Sequence, residues 1–299
     1  MSTKNSRRGR RAQAPSPLIT LLTDFGLGDP FVGVMKAVIL GICPSARIVD
    51  LGHEAARFDP LSAGFALATA VPYFPPGTTH VAVVDPGVGG SRRPLAARID
   101  GQLFVAPDNG LLAWLLAGQG RAEVRQIADP CLMRRPVSAT FHGRDVFAPA
   151  AAHLARGHPF ARVGPVVADP VCPPLPRPAR EPGPAVRGQV VWVDRFGNLI
   201  TNVPTEWAPP AAREVEVRFD RGPMQRARWA TSYEAIGPHR LGALGSSFGT
   251  VEVAVAQGRA DRRCRARAGS RVLLTWRPRP DAPTTETVNS GRSVRPRRR

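Results

Sequence analysis

The sequence predicts an α/β amino-terminal domain with a mainly parallel sheet, followed by a smaller all-β domain of antiparallel, barrel-like character. Three observations carry this. In the first half, uninterrupted apolar runs alternate with segments of helical period, the pattern of strands covered on both faces by crossover helices. Residues 165–186 (PVVADPVCPPLPRPAREPGPAV) are then too rich in proline for a helix or a central strand. Beyond them, six short segments are separated by Gly, Pro and Asn with no helical run between them, which suits a small barrel or sandwich. The expected division is a basic tail at 1–16, the α/β domain at 17–164, a semi-extended linker at 165–186, the barrel at 187–276 and a second basic tail at 277–299.

The first strand is 17–23 (PLITLLT), which runs into Thr23-Asp24-Phe25-Gly26. Asp29 suits a helix N-cap and Pro30 the first helical position, and Phe31, Val34, Met35, Val38 and Ile39 follow a 3.6 period. A second strand at 46–51 and an alanine- and leucine-rich helix at 60–71 follow. The third strand, 79–84, ends in Asp85-Pro86-Gly87-Val88-Gly89-Gly90-Ser91-Arg92-Arg93, a buried strand opening into a glycine-rich loop. Residues 95–100 and 102–106 read as a hairpin turning on Asp100-Gly101. A short helix at 111–116, a strand at 123–127 and a helix at 146–155 complete the domain, the last preceded by Thr140-Phe141-His142-Gly143-Arg144-Asp145. The strands of the second domain are expected at 188–193, 199–203, 214–219, 226–232, 250–255 and 270–276.

Composition narrows the class. With 43% hydrophobic residues in 299, the chain can build packed cores, and its formal net charge is +18. Residues 1–16 carry Lys4, Arg7, Arg8, Arg10 and Arg11 with no acid; residues 277–299 carry seven arginines against Asp281 and Glu286. So polar a pair of tails has little to bury and is expected to be disordered. Neither holds an aromatic residue to stack a base, so nucleic acid is expected only through weak tail contacts. Cys43, Cys131, Cys172 and Cys264 form no CxxC pair, which argues against a zinc ribbon or a disulfide framework. No apolar run approaches the ~20 residues of a membrane span, and no apolar core follows the basic start as in a signal peptide. A cytoplasmic enzyme without membrane contact is expected.

Three polar loops of the first domain follow strands. In a parallel sheet such ends gather at one edge, so Asp24, Asp85, Arg92 and His142 could converge there. A carboxylate, a guanidinium and an imidazole together can handle a water molecule: histidine can take a proton, the carboxylate can orient, and the guanidinium can stabilise hydroxide. Each also has a plainer reading: Asp85 as a turn cap, Arg92 as half of an exposed pair, His142 as a helix-start residue bonded to backbone. Neither a phosphate-binding glycine loop with its Lys-Ser/Thr ending, nor GxGxxG after the first strand, nor a GxSxG elbow is present. Asp24, Asp29 and Asp85 could hold a divalent ion, but they lack close ligand spacing. In the second domain, Asp194-Arg195-Phe196-Gly197-Asn198 either places an aromatic between polar groups or is simple turn chemistry, and Ser246-Ser247-Phe248-Gly249 is equally open.

Taken together, TDFG-x-x-D at 23–29, VDPGVG at 84–89, PDNG at 107–110, FHGRDVFAP at 141–149 and DRFGNLITN at 194–202 resemble one family, in order and across both domains. It is the adenosine-forming S-adenosyl-L-methionine (SAM) hydrolases, or SAM hydroxide adenosyltransferases, relatives of the SAM-dependent chlorinase and fluorinase. The resemblance implies an α/β domain joined to a β-barrel, and a homotrimer with active sites at subunit interfaces. It also implies nucleophilic substitution by water or hydroxide at the 5′ carbon of SAM, giving adenosine and L-methionine with no cofactor and no metal. The family's catalytic triad falls on Asp85, Arg92 and His142, which the halogenases do not keep. Substrate contacts fall on Asp24 at the ribose hydroxyls, on Phe58 and Phe196 beside sugar and base, and on Asp194 and Asn198 at the methionine end or base edge. Asp29, Phe141, Gly143, Ser246, Ser247 and Val255 complete the implied pocket. Gly245-Ser246-Ser247-Phe248-Gly249 departs from the family's Asn-Ser-Ser-Gly. Two other readings stand beside the hydrolase: a halogenase of the same superfamily, and a SAM- or adenosine-binding regulator without turnover.

Overall fold

The computed structural model describes residues 16–118, 120–210 and 212–277. The basic tails expected at 1–16 and 277–299 lie outside the described residues, except for Ser16 and Arg277. The chain divides between Arg177 and Pro178 into two compact units.

The first unit is built on a six-stranded sheet of β1 (Leu18–Thr23), β2 (Arg47–Gly52), β3 (Thr79–Val83), β4 (Pro94–Ile99), β5 (Gln102–Pro107) and β6 (Ala122–Gln126), in the order β2-β1-β3-β5-β4-β6. Pairs β1–β2, β1–β3 and β3–β5 are parallel; β4 runs antiparallel to both β5 and β6. Ile19, Leu21, Val81 and Val83 bury one face of the sheet against α1 (Phe31–Ile42) and α4 (Ala148–Ala155). Leu22, Ala82 and Val84 bury the other against α2 (Pro60–Ala70) and the chain around α3 (Ala113–Leu116). Because both faces are covered, successive residues of β1 and β3 are buried and mostly apolar, which explains the apolar runs in the sequence, and the buried polar pair Thr20 and His80 is joined by a hydrogen bond of 2.8 Å. The β4–β5 hairpin turns on Asp100 (φ 46°) and Gly101 (φ 79°), the left-handed pair a two-residue turn needs.

Two local expectations change. Pro30, already near helical angles at φ −75°, takes the N-cap place of α1 with no side-chain capping bond, so Asp29 stays exposed outside the helix. At α2 the device expected for α1 is found: the Asp59 carboxylate accepts from the Ser62 N–H at 3.0 Å. The helix expected at 146–155 opens with a π-helical turn, Gly143–Phe147, before α4 begins.

The second unit comprises β7 (Ala179–Arg180), β8 (Ala185–Val193), β9 (Leu199–Pro204), β10 (Glu214–Phe219), β11 (Gln225–Trp229), β12 (Leu241–Gly245), β13 (Thr250–Val255) and β14 (Arg271–Arg277). Seven of them close into a barrel, β14-β10-β11-β12-β13-β9-β8, with β8 pairing back to β14 and β7 added at β8. All its ladders are antiparallel except β11–β12. Val190, Val215, Val217, Val253, Leu274 and Trp276 fill the core. Sequence reading misses β12 and the short helices α5 (Tyr233–Ile236) and α6 (Ala260–Cys264). The proline-dense stretch is used by both units: Val167 is buried in the first unit, and Ala179 and Arg180 form β7. Among the described residues no helix is long and apolar enough to cross a membrane.

Gly64 shows how tightly α2 is seated, since a Cβ there would stand 2.2 Å from the Leu111 carbonyl oxygen. Alanine normally favours a helix interior by up to about 1 kcal/mol over glycine. Here the clash should dominate: Gly64→Ala is expected to destabilise the protein by about 1–3 kcal/mol in denaturant unfolding. A rise in stability would show that the α2 contact yields freely.

Candidate active site

The sheet order sets the site. From β1 the chain crosses to β2 on one side and then to β3 on the other, which leaves a crevice at the carboxyl ends of β1 and β3. Thr23 is in register with Val83, so the two strands end side by side and deliver Asp24 and Asp85 to the same edge. The Asp24 carboxylate accepts the Phe58 N–H at 3.1 Å. Phe58 is held at φ 61°, a left-handed conformation uncommon outside glycine, with its side chain 71% exposed.

Asp85, Arg92 and His142 meet. Arg92 Nε donates to both Asp85 oxygens at 3.0 Å, and Arg92 Nη2 donates to Oδ2 at 2.5 Å. The two side chains are only 9% and 4% exposed. Nη2 also reaches His142 Nδ1 at 2.6 Å, and the guanidinium carbon lies 5.2 Å from the centre of the Phe147 ring. Glycine makes the approach possible: Gly89 has φ 77°, and a Cβ there would stand 2.2 Å from the Ala139 carbonyl oxygen. The loop after β3 therefore lies directly on the segment that leads to His142.

Arginine has no acceptor, so His142 Nδ1 accepts and the ring proton sits on Nε2. Burial lowers the His142 pKa, and the charge of Arg92 lowers it further; Asp85 and Asp145 oppose both without reversing them. The ring is thus neutral at neutral pH, with an N–H as its free edge. These bonds engage Nε and Nη2 of Arg92, and among the described residues Nη1 makes none.

The segment is fixed from below by Asp145, whose side chain is 1% exposed. It accepts from Arg144 at 2.7 and 2.8 Å and from the Ser138 N–H at 2.9 Å. Burial alone would raise this carboxyl, but these donors hold it below its usual value. Phe141 packs edge-on against Phe25 and Phe31, with ring centres 6.2 and 5.1 Å away, and so ties the loop after β1 to the histidine segment. Gly143 has no room for a side chain: a Cβ would meet Met35 Sδ and the Phe141 ring at 3.1 Å. Asp29 stands apart as an exposed residue.

In the second unit, Asp194, Phe196, Asn198 and Val255 line a cavity of about 730 Å³ together with Tyr233 and Arg259. The Asp194 carboxylate accepts from the Asn198 backbone N–H at 2.8 Å and from its side-chain amide at 2.9 Å. Gly197 (φ 83°) lets this turn lie against Asp261, whose N–H donates to the Gly197 carbonyl at 2.9 Å. Ser246 and Ser247 are not among the residues lining this cavity. Ser246 instead closes the β12–β13 hairpin, its N–H donating to the Thr250 carbonyl at 2.7 Å, while Phe248 packs against Trp192.

Sequence reading missed Tyr233, Glu252 and Arg259. The Tyr233 hydroxyl, at the cavity, donates to Glu252 at 2.5 Å. Burial raises the Glu252 carboxyl and Asp194 raises it further, against the tyrosine hydrogen bond. Burial and then Glu252 likewise push the Tyr233 hydroxyl well above its usual value. The one available signal was a lone acid inside the strand TVEVAV. Arg259 is clamped by Asp261 and donates to the Arg195 carbonyl at 3.0 Å. Among the described residues no group of three or more His, Cys, Asp or Glu side chains could hold a metal ion, so Asp24, Asp29 and Asp85 do not assemble as ligands.

Residues 19–164 match the family model described as the SAM hydroxide adenosyltransferase N-terminal domain, and residues 188–273 match that of the C-terminal domain. A Thermus thermophilus protein named (R)-S-adenosyl-L-methionine hydrolase is 43% identical, over 86% of this chain and 98% of its own. A Salinispora tropica protein of the same name is 38% identical, over 88% and 99%. An Actinoplanes protein named fluorinase is 28% identical over 63% of this chain and 72% of its own. The crystal structure of an uncharacterized conserved protein from Thermotoga maritima superposes with a TM-score of 0.79 at 37% identity, over 86% of this chain and 99% of that one.

The histidine geometry can be read in solution. Nitrogen-15 NMR of His142 should show Nε2 protonated and Nδ1 bare at neutral pH, with a titration midpoint below that of an ordinary histidine. Arg92→Ala removes one depressing charge and leaves Asp85 unopposed, so the midpoint should rise. A proton on Nδ1, or a midpoint that falls in the variant, would contradict this arrangement.

Proposed function

The chain belongs to the SAM hydroxide adenosyltransferase family, and from that premise we infer that it hydrolyses S-adenosyl-L-methionine to adenosine and L-methionine. The observation that carries the reading is the joining of Asp85, Arg92 and His142 at the crevice edge. In the reaction, the oxygen of hydroxide forms a bond to the 5′ carbon while the carbon–sulfur bond breaks. The electron pair goes to sulfur, and methionine departs as a neutral thioether. Charge is lost on both sides as the anion meets the sulfonium, so bringing them together away from water favours the step.

The residues divide this work. Asp85 fixes the guanidinium in place, and Arg92 Nη1 favours hydroxide over water at the nucleophile position by its charge. His142 acts as a donor through Nε2–H and orients that oxygen. This reverses the sequence expectation that His142 takes a proton, because the nitrogen that would accept it faces Arg92. Asp24 and Phe58 are assigned to the ribose, with Phe141 and Gly143 as the packed support of the histidine. Asp194, Phe196, Asn198 and Val255 are assigned to substrate binding in the second unit. The chemistry moves no electrons to a carrier, so turnover needs no cofactor. A homotrimer with active sites at subunit interfaces and a cytoplasmic location belong to the same proposal, and the family resemblance supports the former. A halogenase is the second reading, favoured only by the fluorinase-named relatives, which match less of the chain at lower identity.

Product analysis separates these readings. Purified protein given both sulfonium epimers of SAM with chloride or fluoride present should release adenosine and methionine. A 5′-halogenated adenosine as main product would make it a halogenase, and retention of intact SAM would make it a binder. Asp85→Asn and Arg92→Ala should each lower kcat/KM by about 10²-fold or more. His142→Gln, which keeps an N–H donor, should retain more activity than His142→Ala; equal loss in the two would restore His142 as a base. Activity should hold through neutral pH and fall on the acid side as His142 becomes charged, below the ordinary histidine range because its pKa is depressed.

A further inference from the structure

A second cavity of the barrel unit, about 690 Å³, has a different chemistry. Arg213 precedes β10, Arg226 and Arg228 alternate on β11, Arg240 precedes β12, Arg263 lies on α6, and Arg277 ends β14; the fold alone brings them to one wall. The register shows how. Glu214 on β10 is opposite Arg228 on one side and Arg277 on the other, so two arginines flank the single acid that lines the cavity. Behind it Glu216 pairs with Arg277 at 2.7 Å and Arg226 at 3.9 Å. Among the described residues no carboxylate lies within ion-pair distance of the other four. Two of these are nonetheless oriented: Arg213 Nη1 donates to the Ala212 carbonyl at 3.1 Å, and Arg263 Nη1 to the His239 carbonyl at 3.0 Å.

We propose that this cavity is a binding site for a small oligophosphate, a ligand with several phosphoryl groups in a row. Guanidinium forks match phosphate oxygens in pairs, and a concave wall of one sign concentrates its field on an anion. Four forks without a carboxylate partner, with Arg226 and Arg277 beside them, exceed what one phosphate can engage, and the volume is that of a small-ligand site rather than a groove for a chain. Trp229 is the one Phe, Tyr or Trp lining the cavity, and it packs edge-on against Trp276 with ring centres 6.2 Å apart; with His239 as the one other ring in the wall, the cavity offers no row of large aromatics for successive bases. SAM itself does not suit the cavity, because its sulfonium and ammonium would face arginines. The proposal therefore stands independently of the hydrolase reading.

Calorimetric titration of the full chain with sodium tripolyphosphate tests it. One saturable site is expected, weaker at about 200 mM than at about 50 mM salt because charges are being paired. Arg228→Glu with Arg240→Glu should weaken binding by about tenfold or more, since each arginine lost is a charge-assisted donor pair. Arg121→Glu with Arg218→Glu makes the same charge change on exposed residues outside the cavity and should leave binding within about twofold. The basic residues at both ends of the chain are kept in every variant, so their contribution cancels in the comparison. If the Glu pair fails to fold, Arg228→Gln with Arg240→Gln gives the same comparison. No saturable binding, equal loss in both pairs, or orthophosphate bound as tightly as tripolyphosphate would overturn the site. So would an oligothymidylate displacing tripolyphosphate at lower concentration, which would make the surface a nucleic-acid contact.

Discussion

A guanidinium taken almost out of water needs a counter-charge in contact, and the position of Arg92 in the first unit depends on Asp85 supplying it. Removing one partner of such a pair leaves an uncompensated buried charge, which typically costs 3–5 kcal/mol. The surrounding fold is arranged to keep both. The parallel sheet delivers Asp85 to the end of β3; the glycine at 89 lets the loop press on Ala139; and Arg92 returns over the Phe147 ring to meet its acid. Asp145, itself held by Arg144 and the Ser138 N–H, anchors the other side of the contact. His142 is thus placed both by its backbone turn, in which the Arg144 and Asp145 N–H groups donate to the Phe141 carbonyl at 3.2 Å, and by the Arg92 contact to its ring.

Much of this was legible in the sequence, for a physical reason. Strands buried on both faces are mostly apolar, so β1 and β3 declare themselves despite Thr20 and His80, and the chain direction at their ends points to Asp24 and Asp85. What escaped depends on contacts between distant segments. The strand β12, LGALG, lacks alternation because a side chain at Gly242 would run into Ile236 of α5 at about 2.4 Å, a constraint that no local pattern expresses. Glu252 is invisible as a buried acid until Tyr233 is seen to reach it from another element. Asp29 failed as a cap because Pro30 occupies the capping place itself.

The barrel unit sorts charge over a short stretch of chain. Gly237 and Pro238 line the cavity that contains Asp194, Tyr233 and Glu234, while the next two residues, His239 and Arg240, line the arginine cavity. His239 manages this reversal with φ 58°, a left-handed backbone that turns the chain from one wall to the other. One wall bears aromatic rings and the acids Asp194 and Glu234, with Arg259 paired to Asp261, and suits a ligand with positive charge; the other is cationic. A substrate with a sulfonium and an ammonium is steered by both, drawn to the first and refused by the second.

The same logic explains why the triad contains a carboxylate at all. A free arginine beside the reacting carbon would favour hydroxide but would equally repel the sulfonium that hydroxide must attack. With Asp85 in contact and His142 neutral, the three groups sum to no net charge, so the substrate's cation is not excluded. Their dipoles remain, with Nη1 and Nε2–H as donors for an anionic oxygen. A protonated His142 would restore a net positive charge at the point where the sulfonium must approach. On the proposed mechanism, the lowered His142 pKa would thus serve substrate selection as well as the nucleophile's orientation.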